Sequence, residues 1–84
     1  MSDLTPEARV RAALSSLLSP REHDCVMDVS ARRGPSDVIE VTVRLDAKGG
    51  ELAVLRSRVQ WIVDTVLADE RHTVMLRSTP AEEA

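Results

Sequence analysis

The stretch Ile39-Glu40-Val41-Thr42-Val43-Arg44-Leu45 alternates apolar and polar residues. Beyond Asp46-Ala47-Lys48-Gly49-Gly50 the period lengthens, and Leu52, Leu55, Val59, Ile62, Val63 and Val66 recur at helical spacing as far as about Asp69. The first run reads as a strand with one face buried, because successive side chains on a strand point to opposite faces. The second reads as an amphipathic helix with a single core stripe. A strand followed by a helix and another strand crosses over right-handed. The β-branched, apolar stretch His72 to Ser78 therefore reads as a strand parallel to Val38–Leu45, lying beside it or, in a split arrangement, on the far side of an earlier strand.

Upstream, Cys25, Met27, Val29 and Ala31 alternate with Val26, Asp28, Ser30 and Arg32, and the turn formers Gly34, Pro35, Ser36 and Asp37 join this run to the next. The two runs predict an antiparallel hairpin. Its apolar face would carry Met27 and Val29, and its wet face Asp28, Ser30, Arg32, Glu40, Thr42 and Arg44. Further upstream the signals of a helix agree over Thr5 to Ser19. Thr5 can cap, Pro6 occupies the first helical position, where its missing N–H costs nothing, and Glu7 suits the positive end of the dipole. Val10, Ala13, Leu14, Leu17 and Leu18 form one apolar stripe, Pro20 stops the helix, and Arg21 to Asp24 reads as a polar connection.

The order is therefore α-β-β-α-β. It implies an α+β two-layer sandwich with a three-stranded sheet and both helices on one face. The expected buried set is Leu14, Leu17, Val29, Val41, Val43, Leu55, Val59 and Ile62. The 84 residues suit a single domain over 1–84, with an ordered core of about 5–78 and an acidic tail over 79–84 that contains Glu82 and Glu83.

Composition restricts function. The chain is 43% hydrophobic, but only 1% of it is aromatic. Base-stacking platforms, aromatic cages and aromatic-lined ligand slots each need several aromatic rings on one face, so they are excluded. A net charge of −3 without a strong basic cluster argues against nucleic acid. No stretch reaches the length that spans a bilayer, and Met1 to Pro6 lacks a basic run followed by an apolar core. With the single Cys25, unable to form an intramolecular disulfide, these features point to a cytoplasmic protein without a membrane partner.

His23, Asp24 and Cys25 begin a metal or thiolate site but do not complete one. The only other histidine is His72, and there is no second cysteine, so no metal or cofactor is expected. Cys25 continues an apolar face and reads as a buried, inert thiol. A Cys25–His72 nucleophile and base across neighbouring strands is the one catalytic pairing available, and no further group orients it, so no enzymatic activity is expected.

Ala47-Lys48-Gly49-Gly50, just before the long helix, offers backbone N–H groups to an anion through Lys48, Gly49 and Gly50. With the element order, this basic, glycine-bearing turn resembles a pared-down KH domain of the bacterial type. Here Ala47 stands at the first glycine position and the helix that precedes the turn in that family is missing. The resemblance implies nucleic-acid binding at the turn. The element order, the Arg32-Arg33-Gly34 hairpin tip and Pro80 after the last strand are also similar to the small cytoplasmic domains attached to cation-diffusion transporters. There, histidines on the helix and last strand bind metal, whereas this chain has no histidine in the long helix.

Trp61, the only aromatic residue, falls nearly opposite the core stripe of its helix, with Val54 seven residues back on the same outer side and Arg58 and Thr65 beside them. A low-charge patch holding a tryptophan and an arginine has the composition of a binding hot spot. Val54, Arg58, Trp61 and Thr65 are therefore the expected partner-binding residues of a protein-interaction or oligomerisation module. Its partner would be another protein or a second copy in a homodimer, bound through this patch or through the open edge of the sheet.

Overall fold

The computed structural model describes residues 5–78, so the expected acidic tail and Pro80 lie outside the described residues. Helix α1 spans Pro6–Leu17, α2 Pro20–His23, β1 Val26–Arg33, β2 Ile39–Leu45, α3 Gly49–Val66 and β3 His72–Ser78, with a 3₁₀ turn at Pro35–Asp37 between β1 and β2. The result is a small α+β fold whose mixed sheet has the order β1-β2-β3. β2 is central, antiparallel to β1 and parallel to β3. Of the two positions open to the last strand, the one beside β2 is taken.

The caps are those the sequence supplies. Thr5 accepts from the Ala8 amide at 3.1 Å with Pro6 at the first helical position. The segment expected to be a polar connection instead contains a one-turn helix, α2. Ser19 and Glu22 form a capping box there, the Ser19 hydroxyl accepting from the Glu22 amide and the Glu22 carboxylate from the Ser19 amide. The hairpin tip turns through left-handed backbone at Ser36 and Asp37, both at φ 62°, and Arg33 holds the Asp37 carboxylate at 2.9 Å.

The core lies between the sheet and the helices. Ile39, Val41, Val43 and Leu45 of β2 and Val29 of β1 bury against Val10, Leu14 and Leu18 from the first helix and its C-cap, and against Leu55, Val59, Ile62 and Val63 of α3 and the adjoining Leu67. Arg9 crosses from α1 to the end of α3, donating to the Val66 carbonyl at 2.8 Å and lying 3.4 Å from Asp69. The polar sheet face lies on the other side, where Arg32 and Glu40 pair at 3.4 Å.

Met27, expected on the apolar face of the hairpin, and Leu17, expected in the buried set, both lie outside the core. Met27 is exposed because β1 carries a bulge: Val26 pairs with Leu45 and Asp28 with Arg44, so Met27 is an extra residue with no partner. The insertion shifts the alternation, and Val26 packs against the core instead. Leu17 is 48% exposed. At 100° per residue the buried line of α1 is Val10, Leu14 and Leu18, and Leu17 lies about 60° to its side.

Among the described residues no helix is long and apolar enough to cross a membrane.

Candidate functional site

Leu17 of α1 and Trp61 of α3 lie on the rim between the two packed helices and border the same cavity. Leu17, Ser57, Arg58, Trp61 and Ile62 line a groove of about 420 Å³ on the outer side of the helical layer. Trp61 is 61% exposed, although it is the bulkiest apolar side chain of the protein. The α3 stripe accounts for this, since at 100° per residue Trp61 lies about 150° from the centre of the buried set.

The groove continues toward the start of α3. Ser19, Arg21, Glu22, Gly50, Glu51, Val54, Leu55 and Arg58 line this adjoining part, in which Val54 is 58% exposed. Arg58 stands between the two parts, its guanidinium 2.9 Å from Glu22. The hydrogen bond from the Ser19 amide, with the Arg58 charge adding to it, holds the Glu22 carboxyl below its ordinary range. The α2 turn thus fixes Glu22, and Glu22 fixes the Arg58 side chain along the groove. Of the four residues expected to bind a partner, the fold gathers Trp61, Arg58 and Val54 along one groove. Thr65, exposed one turn beyond Trp61, lines neither part. Leu17, assigned by its sequence spacing to the core, supplies the wall facing Trp61.

The candidate chemical groups do not converge. Cys25 precedes β1 at the Leu45 end of the sheet, whereas His72 pairs with Ile39 at the opposite end of β2. Six residues of strand, about 20 Å, separate the two ends, and β1, which Cys25 precedes, and β3, which carries His72, are on opposite sides of β2. The catalytic pairing considered from sequence is therefore not formed. Burial, reinforced by the nearby carboxylates of Glu51, Asp46 and Asp24, pushes the Cys25 thiol above its ordinary value, which lowers its thiolate fraction. No group of three or more His, Cys, Asp or Glu side chains with metal-holding geometry occurs among the described residues.

Lys48 precedes α3 without a side-chain cap and Gly49 has the left-handed φ of 58°. The cations that would have to gather at this turn are divided. Arg44 projects from the open sheet face, on the other side of the sheet from α3, whereas Arg21 and Arg58 share a groove with Gly50 but are paired with Glu51 and Glu22.

His72 is instead a structural group. Its Nδ1 lies 3.0 Å from the Glu70 carbonyl and its Nε2 2.8 Å from Asp64. With Nδ1–H donating to the carbonyl, a neutral ring would turn a lone pair toward the carboxylate, so only the imidazolium satisfies both contacts. The Glu70 carbonyl and then the Asp64 carboxylate accordingly raise the His72 pKa, against the effect of burial. A raised folded-state value stabilises the fold fully below the unfolded value of about 6.5, and that contribution is lost as pH rises through the folded value. Urea unfolding from pH 5 to 9 is expected to show this decline, of at most about 1 kcal/mol because Asp64 is half exposed. His72→Gln should remove it, and an unchanged pH slope in that variant would contradict the assignment.

Comparison of the chain with protein-family models, with curated proteins and with solved structures found no match.

Proposed function

We propose that this protein is a small protein-interaction or oligomerisation module without catalytic activity that engages another protein through the Leu17–Trp61 groove. The observation that carries the reading is the exposure of Trp61, the one aromatic side chain, against a second exposed apolar residue contributed by a different helix. Tryptophan and arginine are the side chains most enriched at binding hot spots, and here they share one groove. The Glu22–Arg58 pair restrains Arg58 before binding, which reduces the side-chain entropy lost on association. The weakly acidic Cys25 thiol and its separation from His72 support the non-catalytic part of the reading. The setting is proposed to be cytoplasmic, on the basis of one free thiol and no second cysteine to pair with it.

The alternative, a KH-like nucleic-acid binder using Lys48, Gly49 and Gly50, has less support because Arg44 lies on the open sheet face and the arginines that share a groove with Gly50, Arg21 and Arg58, are paired with Glu51 and Glu22.

Affinity capture from a cell extract separates the two readings. Proteins retained by the wild type should be lost with Trp61→Ala and with Leu17→Ser, and retained by Arg32→Ala on the open sheet face. Capture that is indifferent to Trp61 and Leu17, or a retained nucleic acid released by Lys48→Ala, would overturn the proposal.

A further inference from the structure

The two edges of the sheet are treated differently. On β1 the bulge at Met27 interrupts the edge, and Arg11 of α1 donates to the outward Val29 carbonyl at 2.7 Å, occupying a backbone acceptor that another strand would need. Bulges and covering side chains are the devices by which edges avoid pairing. β3 has neither. It runs for seven residues without proline or bulge, and among the described residues no group outside β2 is hydrogen-bonded to its backbone.

The direction of its free groups follows from the ladder. The Ile39 amide donates to the Arg71 carbonyl at 2.9 Å. In a parallel pair alternate residues turn both backbone groups toward one neighbour, so Thr73, Met75 and Arg77 bond to β2 while Val74 and Leu76 present N–H and C=O outward. Val74 and Leu76 are only partly buried on the helix side, and Met75 is 52% exposed on the other.

We propose that the chain forms a homodimer in which β3 pairs antiparallel with β3 of a second copy about a two-fold axis at Met75, making one continuous six-stranded sheet. This goes beyond the groove reading and uses a different surface. The register is self-complementary. Val74 and Leu76 of one copy exchange N–H···O bonds with Leu76 and Val74 of the other, and these apolar side chains meet on the helix side. Met75 meets Met75 as the close, non-hydrogen-bonded pair at the axis, and Arg77 stands opposite Thr73.

Charge favours the same register. Within one copy Arg77 neighbours Arg44, a like charge, with no ion pair among the described residues, while Thr73 neighbours Glu40. Across the axis Arg77 comes two strand spacings, about 10 Å between backbones, from Glu40 of the second copy, within the joint reach of an arginine and a glutamate. The row then reads Arg32, Glu40 and Thr73 of one copy followed by Arg77, Arg44 and Asp28 of the other.

Sedimentation equilibrium tests this with the intact chain. The wild-type mass should rise from one chain to two with concentration. Met75→Lys and Met75→Glu each place like charges at the axis and should weaken dimerisation roughly tenfold or more, while an equimolar mixture of the two should restore it. Met75 is exposed, so each variant should melt with the wild type at concentrations low enough for both to be single chains. Independently, in the wild type, exchange of the Val74 and Leu76 amides should slow with concentration by a larger factor than that of the Met75 amide, which is already bonded to β2. A single-chain mass at every concentration, a dimer indifferent to Met75→Lys, or concentration-independent exchange at Val74 and Leu76 would overturn the proposal. A dimer abolished by Trp61→Ala but not by Met75→Lys would overturn it by placing self-association on the helical groove.

Discussion

Leu55→Ala is expected to lower the free energy of unfolding by about 2–4 kcal/mol. Leu55 is 2% exposed and lies in the buried cluster with Val59 and Ile62 of its own helix and Val10 and Leu14 of α1. Truncation removes the transfer free energy of its side chain and leaves a cavity that neighbours fixed on a sheet fill only in part. Domains of this size have total stabilities on the order of 5–10 kcal/mol, so the loss would consume a large share and lower Tm by roughly 10–30 °C. Leu17→Ala provides the contrast. It removes the same atoms from a half-exposed position and should change stability by no more than about 0.5 kcal/mol. Urea denaturation of the two variants, with unchanged m values, checks both. A large loss for Leu17 and a small one for Leu55 would mean that the helical phases are reversed.

Trp61→Ala is expected to behave in the opposite sense, sparing the fold and weakening partner binding roughly tenfold or more. The indole contributes little to the monomer because most of it is in water. It could contribute much to a complex, since an aromatic side chain buries on the order of 200 Å² at about 25 cal/mol per Å². Truncation should lower stability by less than about 1 kcal/mol, reflecting the smaller part of the ring that is not in water. Calorimetric melting measures this side and titration with the captured partner the other. An unfolded variant would place Trp61 in the core and remove the main support for the groove.

The sheet and the long helix were legible because their periods are unambiguous. The alternation of Ile39 to Leu45 and the stripe from Leu52 to Val66 each fit one geometry, and both were found as read. Met27 was not legible, since a bulge adds a residue without altering composition, and alternation extrapolated through it assigns the wrong face. The α2 turn was legible in principle from Ser19 and Glu22, three apart, but it is too short to show a period. Phase alone exposed Trp61. The groove around it needed Leu17 and the Glu22–Arg58 pair, brought from segments more than thirty residues away in sequence, and no local pattern encodes that approach.

The groove reading is tested most directly by the fluorescence of Trp61. It is the only tryptophan and the chain has no tyrosine, so intrinsic emission reports this one position. In the free protein the emission should be that of a hydrated indole and acrylamide should quench it readily. Addition of the captured partner should shift the emission to shorter wavelength and protect it from quenching. An indole already blue-shifted and shielded in the free monomer, or one that stays hydrated when the partner is bound, would contradict the account.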